Sequence, residues 1–395
     1  MAPYGKNLFS LAARLVTPLA FVALGAHCGG SGDEPAGAAG DGSVPRGDSA
    51  SGGGAGSPNQ AGWGGNPVNA GSGGSGPPAG GAGPGGAGGG GGAGPGGAGG
   101  EGGGLTGLDD DADGIDDGLE TTLARRFAPL LRLTANEQYR PGSVAWYLPR
   151  VHLRFNHDNC FDHEILALGE VTADNLGQQS HPNNGSLCQH SGDAEDQLPS
   201  NAKHLEFFLQ PPDDAAHGGA PPADWRAYAH VKKSQTIAGG YDVQYWFFYP
   251  FNSTIANFDH EADWEHITVV ADASEAIAQA RYAAHSGGTT HPASALELVP
   301  GTSRPVGYVA LGSHATYNKP GEYLTEAPDF VFTDQADGEG PEFDTSVGLV
   351  NVGERGKPLN GQAWVNYGGR WGEIGEFSNT SGPPGPAFQG AWDAL

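Results

Sequence analysis

The chain has little of several things, and each shortage excludes something. Cysteine is scarce, three in 395 residues, so no disulfide framework can replace a hydrophobic core. Basic residues are few: Lys and Arg number 19 against 45 Asp and Glu, giving a formal net charge of −26. A chain this acidic is repelled by phosphate backbones, which argues against nucleic-acid binding. No apolar run is long enough for an easy membrane span. There is no G-x-S-x-G, no H-E-x-x-H and no P-loop, so the familiar hydrolase, metalloprotease and nucleotide-binding signatures are missing. Ser313 and His314 are adjacent, which is not how a nucleophile and its base are presented.

Glycine and proline are abundant, 69 and 30, and much of this lies before residue 105. Residues 1–28 read as a signal peptide. Lys6 and Arg14 form a basic start, an apolar stretch from Leu15 to Leu24 follows, and LGAHC closes it. That ending resembles a bacterial lipobox with Cys28 as the lipidated residue. It predicts a cell-envelope protein, an outer-membrane or surface lipoprotein whose partner is the membrane through its lipid; plain secretion is the alternative. Residues 29–104 are nearly all Gly, Ala, Ser, Pro and Asn with no apolar periodicity. Such a segment cannot bury a core and reads as a disordered linker. A Gly-rich coil of this length spans roughly 45–50 Å, enough to hold a folded domain off a membrane. In an exported chain the remaining thiols, Cys160 and Cys188, are candidates for one disulfide.

Residues 105–120 contain LDDDADGIDDGLE. Asp109, Asp111, Asp113, Gly114 and Glu120 fit D-x-D-x-D-G-x5-E, the spacing of a calcium loop. Alternate carboxylates converge on one hard cation, Gly114 permits the sharp turn, and Glu120 closes the shell. Ile115 would contribute its carbonyl oxygen, and Asp117 holds the ninth position. Calcium is the expected cofactor. A short helix from Leu119 to Arg126 follows, stopped near Pro129.

From residue 119 to 395 the composition turns globular. Candidate strands are VAWYLPRVHLRF, KHLEFFLQ, WRAYAHVKKS, YDVQYWFFYPF, WEHITVVAD, PVGYVALGS and AWVNYGG. In YDVQYWFFY, Tyr241, Val243, Tyr245, Phe247 and Tyr249 share a face, and Trp246 and Phe248 make the other face apolar. That is a strand entering a covered sheet. Helical pattern is confined to 119–128 and to SEAIAQARYAA around 274–284. Many short strands with few short helices predict an all-β domain, a β-sandwich.

The densest chemistry is DHEADWEHI, residues 259–267. In a strand, Asp263 and Glu265 project to one side while Trp264 and His266 project to the other. His260 and Glu261 are expected in the entering loop. Asp, Glu and His on one rim make a mixed shell for a divalent cation. His260, Asp263 and Glu265 are the candidate ligands, with His266 and His314 as possible additions. A loop held by hydrogen bonds alone, with Trp264 as core anchor, accounts for the same residues.

The order of motifs, from RRFAPLLRLTANEQYRPGSVAWYL through YWFFYPFN, HEADWEHITVV and RPVGYVALGSHATYNKPGEY to WVNYGGRWGE, resembles the vacuolar protein sorting-associated protein 62 family over nearly all of 119–395. HEADWE is also similar to the HRHDWE core of the necrosis-inducing Nep-like proteins. That resemblance implies a β-sandwich that binds a divalent cation and attaches to a sphingolipid headgroup. The metal-ligand positions fall on His260, Asp263 and Glu265, while Glu261 and Ala262 replace an Arg and a His. The expectation is a surface binding module that takes a divalent cation and a glycan, lipid headgroup or other polar ligand, with catalysis left open. A metal-dependent hydrolase with Glu265 or His266 as general base, and a membrane-damaging toxin, are the rivals.

Overall fold

The structure is a computed structural model. It describes residues 107–394 except 158–160, 183–194, 198–202, 255–258, 286 and 328–329. The signal peptide, Cys28, the Gly-rich linker, Cys160 and Cys188 lie outside the described residues.

The fold is strand-rich, with a few short helices, in agreement with the sequence expectation. Its centre is a six-stranded sheet. From edge to edge it runs Gly287–Pro292, Ile277–Ala284, His260–Ala271, Tyr241–Asn252, Ala227–Lys233 and Val350–Asn351. Neighbours pair antiparallel except Val350–Asn351, which runs parallel to Ala227–Lys233.

Both faces of this sheet are covered, and side-chain alternation decides what goes where. Val243, Tyr245, Phe247 and Tyr249 point to one core, with Ile267, Val269, Ala280 and Tyr282 from neighbouring strands. Leu123 and Phe127 from the helix Asp117–Phe127 close that face, together with Leu131, Val309 and Phe343. The last three belong to a four-stranded sheet ordered Thr316–Tyr317, Val306–Val309, Leu130–Arg132 and Glu342–Asp344. Trp246, Phe248 and Trp264 point the other way. They meet Leu153 and Phe155 of a three-stranded sheet, His163–Leu166, His152–Phe155 and Phe207–Gln210, and Trp364, Trp371 and Trp392 of the C-terminal segment. The register expected for residues 241–249 is the register observed.

The helix forms where local signals agree. Asp116 caps it by accepting from Leu119 N at 2.9 Å. Asp117 and Glu120 occupy its first turn and Arg125 and Arg126 its last, complementing the helix dipole. It ends at Ala128, just before Pro129.

Other local readings are corrected. Residues 277–284 form a strand, not a helix. Ala280 and Tyr282 alternate into the core, and pairing with His260–Ala271 outweighs the helix preference of Ala, Gln and Arg. AWVNYGG contributes a 3-10 turn, Ala363–Asn366, and VAWY a helical turn capped by Ser143. Packing of Trp364 and Tyr147 into the aromatic core, not strand pairing, sets those conformations. His260 and Glu261 are already inside the strand, paired with Asn252 and Phe251.

Candidate functional site

The DHEADWEHI strand separates its side chains as expected. Trp264 lies against Trp364 at 5.4 Å and Trp371 at 5.1 Å between ring centroids, and His266 stacks on Trp246 at 4.5 Å. Burial pushes the His266 imidazole down to about 3, helped by the Arg281 charge. His266 therefore sits across the sheet from Asp263.

On the opposite face Asp263 and Glu265 stand beside Tyr249 and Phe247. Asp263 is buried and meets His314, whose Nδ1 lies 2.9 Å from its Oδ2. Asn252 Nδ2 donates to the same oxygen at 3.0 Å. Burial raises the Asp263 carboxyl, but the His314 hydrogen bond and charge outweigh it and hold the group below its usual range. His314 Nε2 faces the Tyr139 carbonyl oxygen at 3.0 Å and the Glu137 carboxylate at 4.0 Å. Tyr249 stacks flat on the ring, 3.8 Å between centroids. Both ring nitrogens thus have a hydrogen-bond partner.

A tight turn places His314. Gly312 has a positive φ of 72° and its N–H donates to Glu137 Oε2 at 2.7 Å. A Cβ there would meet Ser253 O at 2.2 Å. Next to it, Ser313 donates to Asp334 Oδ1 at 2.8 Å, and Tyr317 donates to Asp334 Oδ2 at 2.6 Å. Glu265, half-buried at this rim, is pushed well above the usual carboxylate range by burial and by the charges of Asp263 and Asp334.

The structure brings Asp263 to His314 and not to His260. His260 turns its Nδ1 toward Ala262 O at 2.8 Å. His260, Asp263 and Glu265 are not among the groups of donor atoms that converge in the described residues. The face holds a buried Asp263–His314 pair with hydrogen-bonded supports.

The Asp-rich loop does converge. Donor atoms of Asp109, Asp111 and Asp117, and of Asp111, Asp113 and Glu120, lie within 4.8 Å of one another in each set. Gly114 takes a φ of 84°, the left-handed turn that the spacing demands. Asp111 and Glu120 are buried, and Asp111 Oδ1 and Glu120 Oε1 have no hydrogen-bond partner. Burial, with neighbouring acidic charge, pushes Asp111 up to about 6 and Glu120 up to about 8. Orphaned buried oxygens beside several carboxylates have the chemistry that a hard cation requires of its donors. Asn351 Nδ2 donates to Glu120 Oε2 at 2.9 Å, tying the loop to the edge strand of the central sheet.

The residue beside Asn351 in that strand, Val350, lines a cavity of about 370 Å³. Trp146, Arg150, Asp224, Arg226 and Gln362 surround it. Arg150 lies over the Trp146 ring at 4.6 Å. The sequence offered no signal for this cavity, because its walls come from three segments, 143–150, 223–228 and 350–362, that lie far apart in the chain.

Known proteins are consistent with the motif order. The family model described as vacuolar protein sorting-associated protein 62 matches residues 222–382. The protein of that name from Saccharomyces cerevisiae is 23% identical over 318 residues, covering 66% of this chain and 64% of its own length. The vacuolar protein sorting-associated protein TDA6 of the same yeast is 24% identical over 325 residues, covering 66% and 65%. The family resemblance read from the sequence is borne out. The matched residues include Asp263, Glu265 and His314 but neither the Asp-rich loop nor Trp146. This chain spans a little under two thirds of the length of the two yeast proteins. Among solved structures, NLPPya in complex with glucosamine aligns with a TM-score of 0.30 and 16% identity, covering 68% of this chain and 85% of that one. Necrosis and Ethylene inducing Protein 2, from the causal agent of cocoa's Witches Broom disease, aligns with a TM-score of 0.30 and 11% identity over 68% and 87%. Non-toxic HaNLP3 aligns with a TM-score of 0.29 and 13% identity over 66% and 83%.

Proposed function

We propose that this chain is a calcium-loaded binding module, exported and held at the cell envelope by a lipid on Cys28, with its folded body at the end of the Gly-rich linker. The observation that carries the reading is the pair of buried, unpartnered oxygens, Asp111 Oδ1 and Glu120 Oε1, inside a ring of carboxylates. Asp109, Asp111, Asp113, Asp117 and Glu120 supply side-chain oxygens and Ile115 its carbonyl. Calcium neutralises a cluster that otherwise repels itself, and it fixes Glu120 against Asn351.

Through that contact the ion is linked to the ligand site. Asn351 and Val350 are neighbours, so ordering Glu120 orders one wall of the cavity. An aromatic face at Trp146 with Arg150, Arg226, Asp224 and Gln362 around it suits a polar ring or a charged headgroup, so a glycan or lipid headgroup is the ligand class. Calcium titration by calorimetry tests the first step. The wild-type chain should bind calcium, and Glu120→Gln should weaken binding at least tenfold; equal affinity in the two would refute the loop assignment. Glycan-array and liposome binding with and without calcium tests the second, with Trp146→Ala expected to abolish capture. Fractionation tests the anchor, since Cys28→Ala should move the protein from the membrane pellet to the soluble fraction.

A further inference from the structure

A cluster of three histidines lies outside every site described so far. His163 opens the strand His163–Leu166, opposite Phe155, His157 follows the end of His152–Phe155, and His181 sits in the short strand Ser180–Pro182. His157 Nε2 and His163 Nδ1 each lie 3.0 Å from His181 Nε2. The ring planes meet at 65°, 72° and 84°, so the three imidazoles are splayed about a common point. His157 and His181 are buried, at 5% and 7% exposure, and His163 is half-buried. The Phe155 ring packs against His157 at 5.2 Å and His181 at 4.5 Å.

Nitrogen facing nitrogen is a different situation from that of His314. A neutral imidazole carries one N–H and one bare nitrogen, so two rings converging on His181 Nε2 compete for one lone pair. A divalent ion at the centre removes the conflict, because all three nitrogens then offer lone pairs. The dimensions agree. With Zn–N bonds of about 2.0–2.1 Å in a tetrahedral shell, ligand nitrogens sit about 3.3 Å apart, within a few tenths of the two contacts observed. Nearly perpendicular planes let each ring direct its in-plane lone pair along a separate axis.

We propose that His157 Nε2, His163 Nδ1 and His181 Nε2 form a transition-metal site that takes a borderline divalent ion, zinc foremost. An all-imidazole donor set suits zinc and disfavours calcium or magnesium, which require oxygen. The site is therefore chemically distinct from the Asp-rich loop, and it lies outside the residues matched by the family model. Bound metal joins the three-stranded sheet to the strand Ser180–Pro182.

The test uses the full chain without a polyhistidine tag, stripped of metal and held in excess calcium so that the loop does not compete. Elemental analysis after zinc loading should give one zinc per chain. Cobalt loading should give the visible absorption of a tetrahedral, nitrogen-rich site. His163→Ala and His181→Ala should each weaken zinc binding at least tenfold, His163→Cys should restore it, and Glu120→Gln should leave it unchanged. Absence of tight zinc and of the cobalt spectrum in the wild-type chain overturns the proposal whatever the variants do. So does a His163→Ala chain, folded by circular dichroism, that binds zinc as tightly as the wild type; the histidines would then be a hydrogen-bonded cluster only.

Discussion

His314 and Asp263, 51 positions apart in the chain, meet with 2.9 Å between Nδ1 and Oδ2 in a site from which water is almost excluded. The contact joins the tight turn at Gly312 to the central strand His260–Ala271. It explains why a carboxylate is tolerated on a core-facing row.

Breaking that pair should be costly. His314→Ala leaves a buried carboxylate whose remaining partner is Asn252, and a loss of about 3–5 kcal/mol is expected. In a double-mutant cycle with Asp263→Asn, measured by urea unfolding, the coupling should exceed about 1 kcal/mol. Additive losses would show that the two side chains do not share an interaction.

The Asp-rich loop makes a pH prediction with a definite sign. Asp111 and Glu120 titrate near 6 and 8 in the calcium-free fold, above their unfolded values of 3.8 and 4.5. The folded state then binds more protons than the unfolded one, so stability falls as pH rises from about 4 to about 8. The midpoint of thermal unfolding should drop across this range without calcium and stay nearly level with it. Glu120→Gln should flatten the upper part of the calcium-free curve.

Trp264 anchors the strand from the far side. Its ring meets Trp364, Trp371, Phe248 and Tyr228, so Trp264→Ala opens a large cavity and should cost about 3–5 kcal/mol. Calcium affinity should be unchanged, because no loop ligand touches that ring. A loss below about 1 kcal/mol in denaturant unfolding would contradict the packing described.

Gly312→Ala tests the turn that delivers His314. A side chain there combines a left-handed φ with a 2.2 Å approach to Ser253 O, so a loss of about 2 kcal/mol or more is expected. Ala substitution at Gly169, where φ is also positive but nothing lies within 4 Å, should cost only about 1 kcal/mol. Similar losses at the two glycines would mean that backbone conformation alone, not the contact with Ser253, sets the cost.

What the sequence determined by itself is local. The two-residue period of Tyr241–Tyr249 and of Asp263–His266 assigned faces correctly, because neighbouring side chains in a strand must diverge. The convergence of the Asp-rich loop was legible because its carboxylates all lie within residues 109–120. Residues 277–284 misled, since their helix preference is weak and a partner strand outweighs it. Only the tertiary structure gave Asp263 the partner His314 instead of His260, set Asn351 against Glu120 across 231 positions, and gathered His157, His163 and His181. Those contacts depend on which strands become neighbours. That choice is made by burial of the whole aromatic core, and no spacing within a single segment records it.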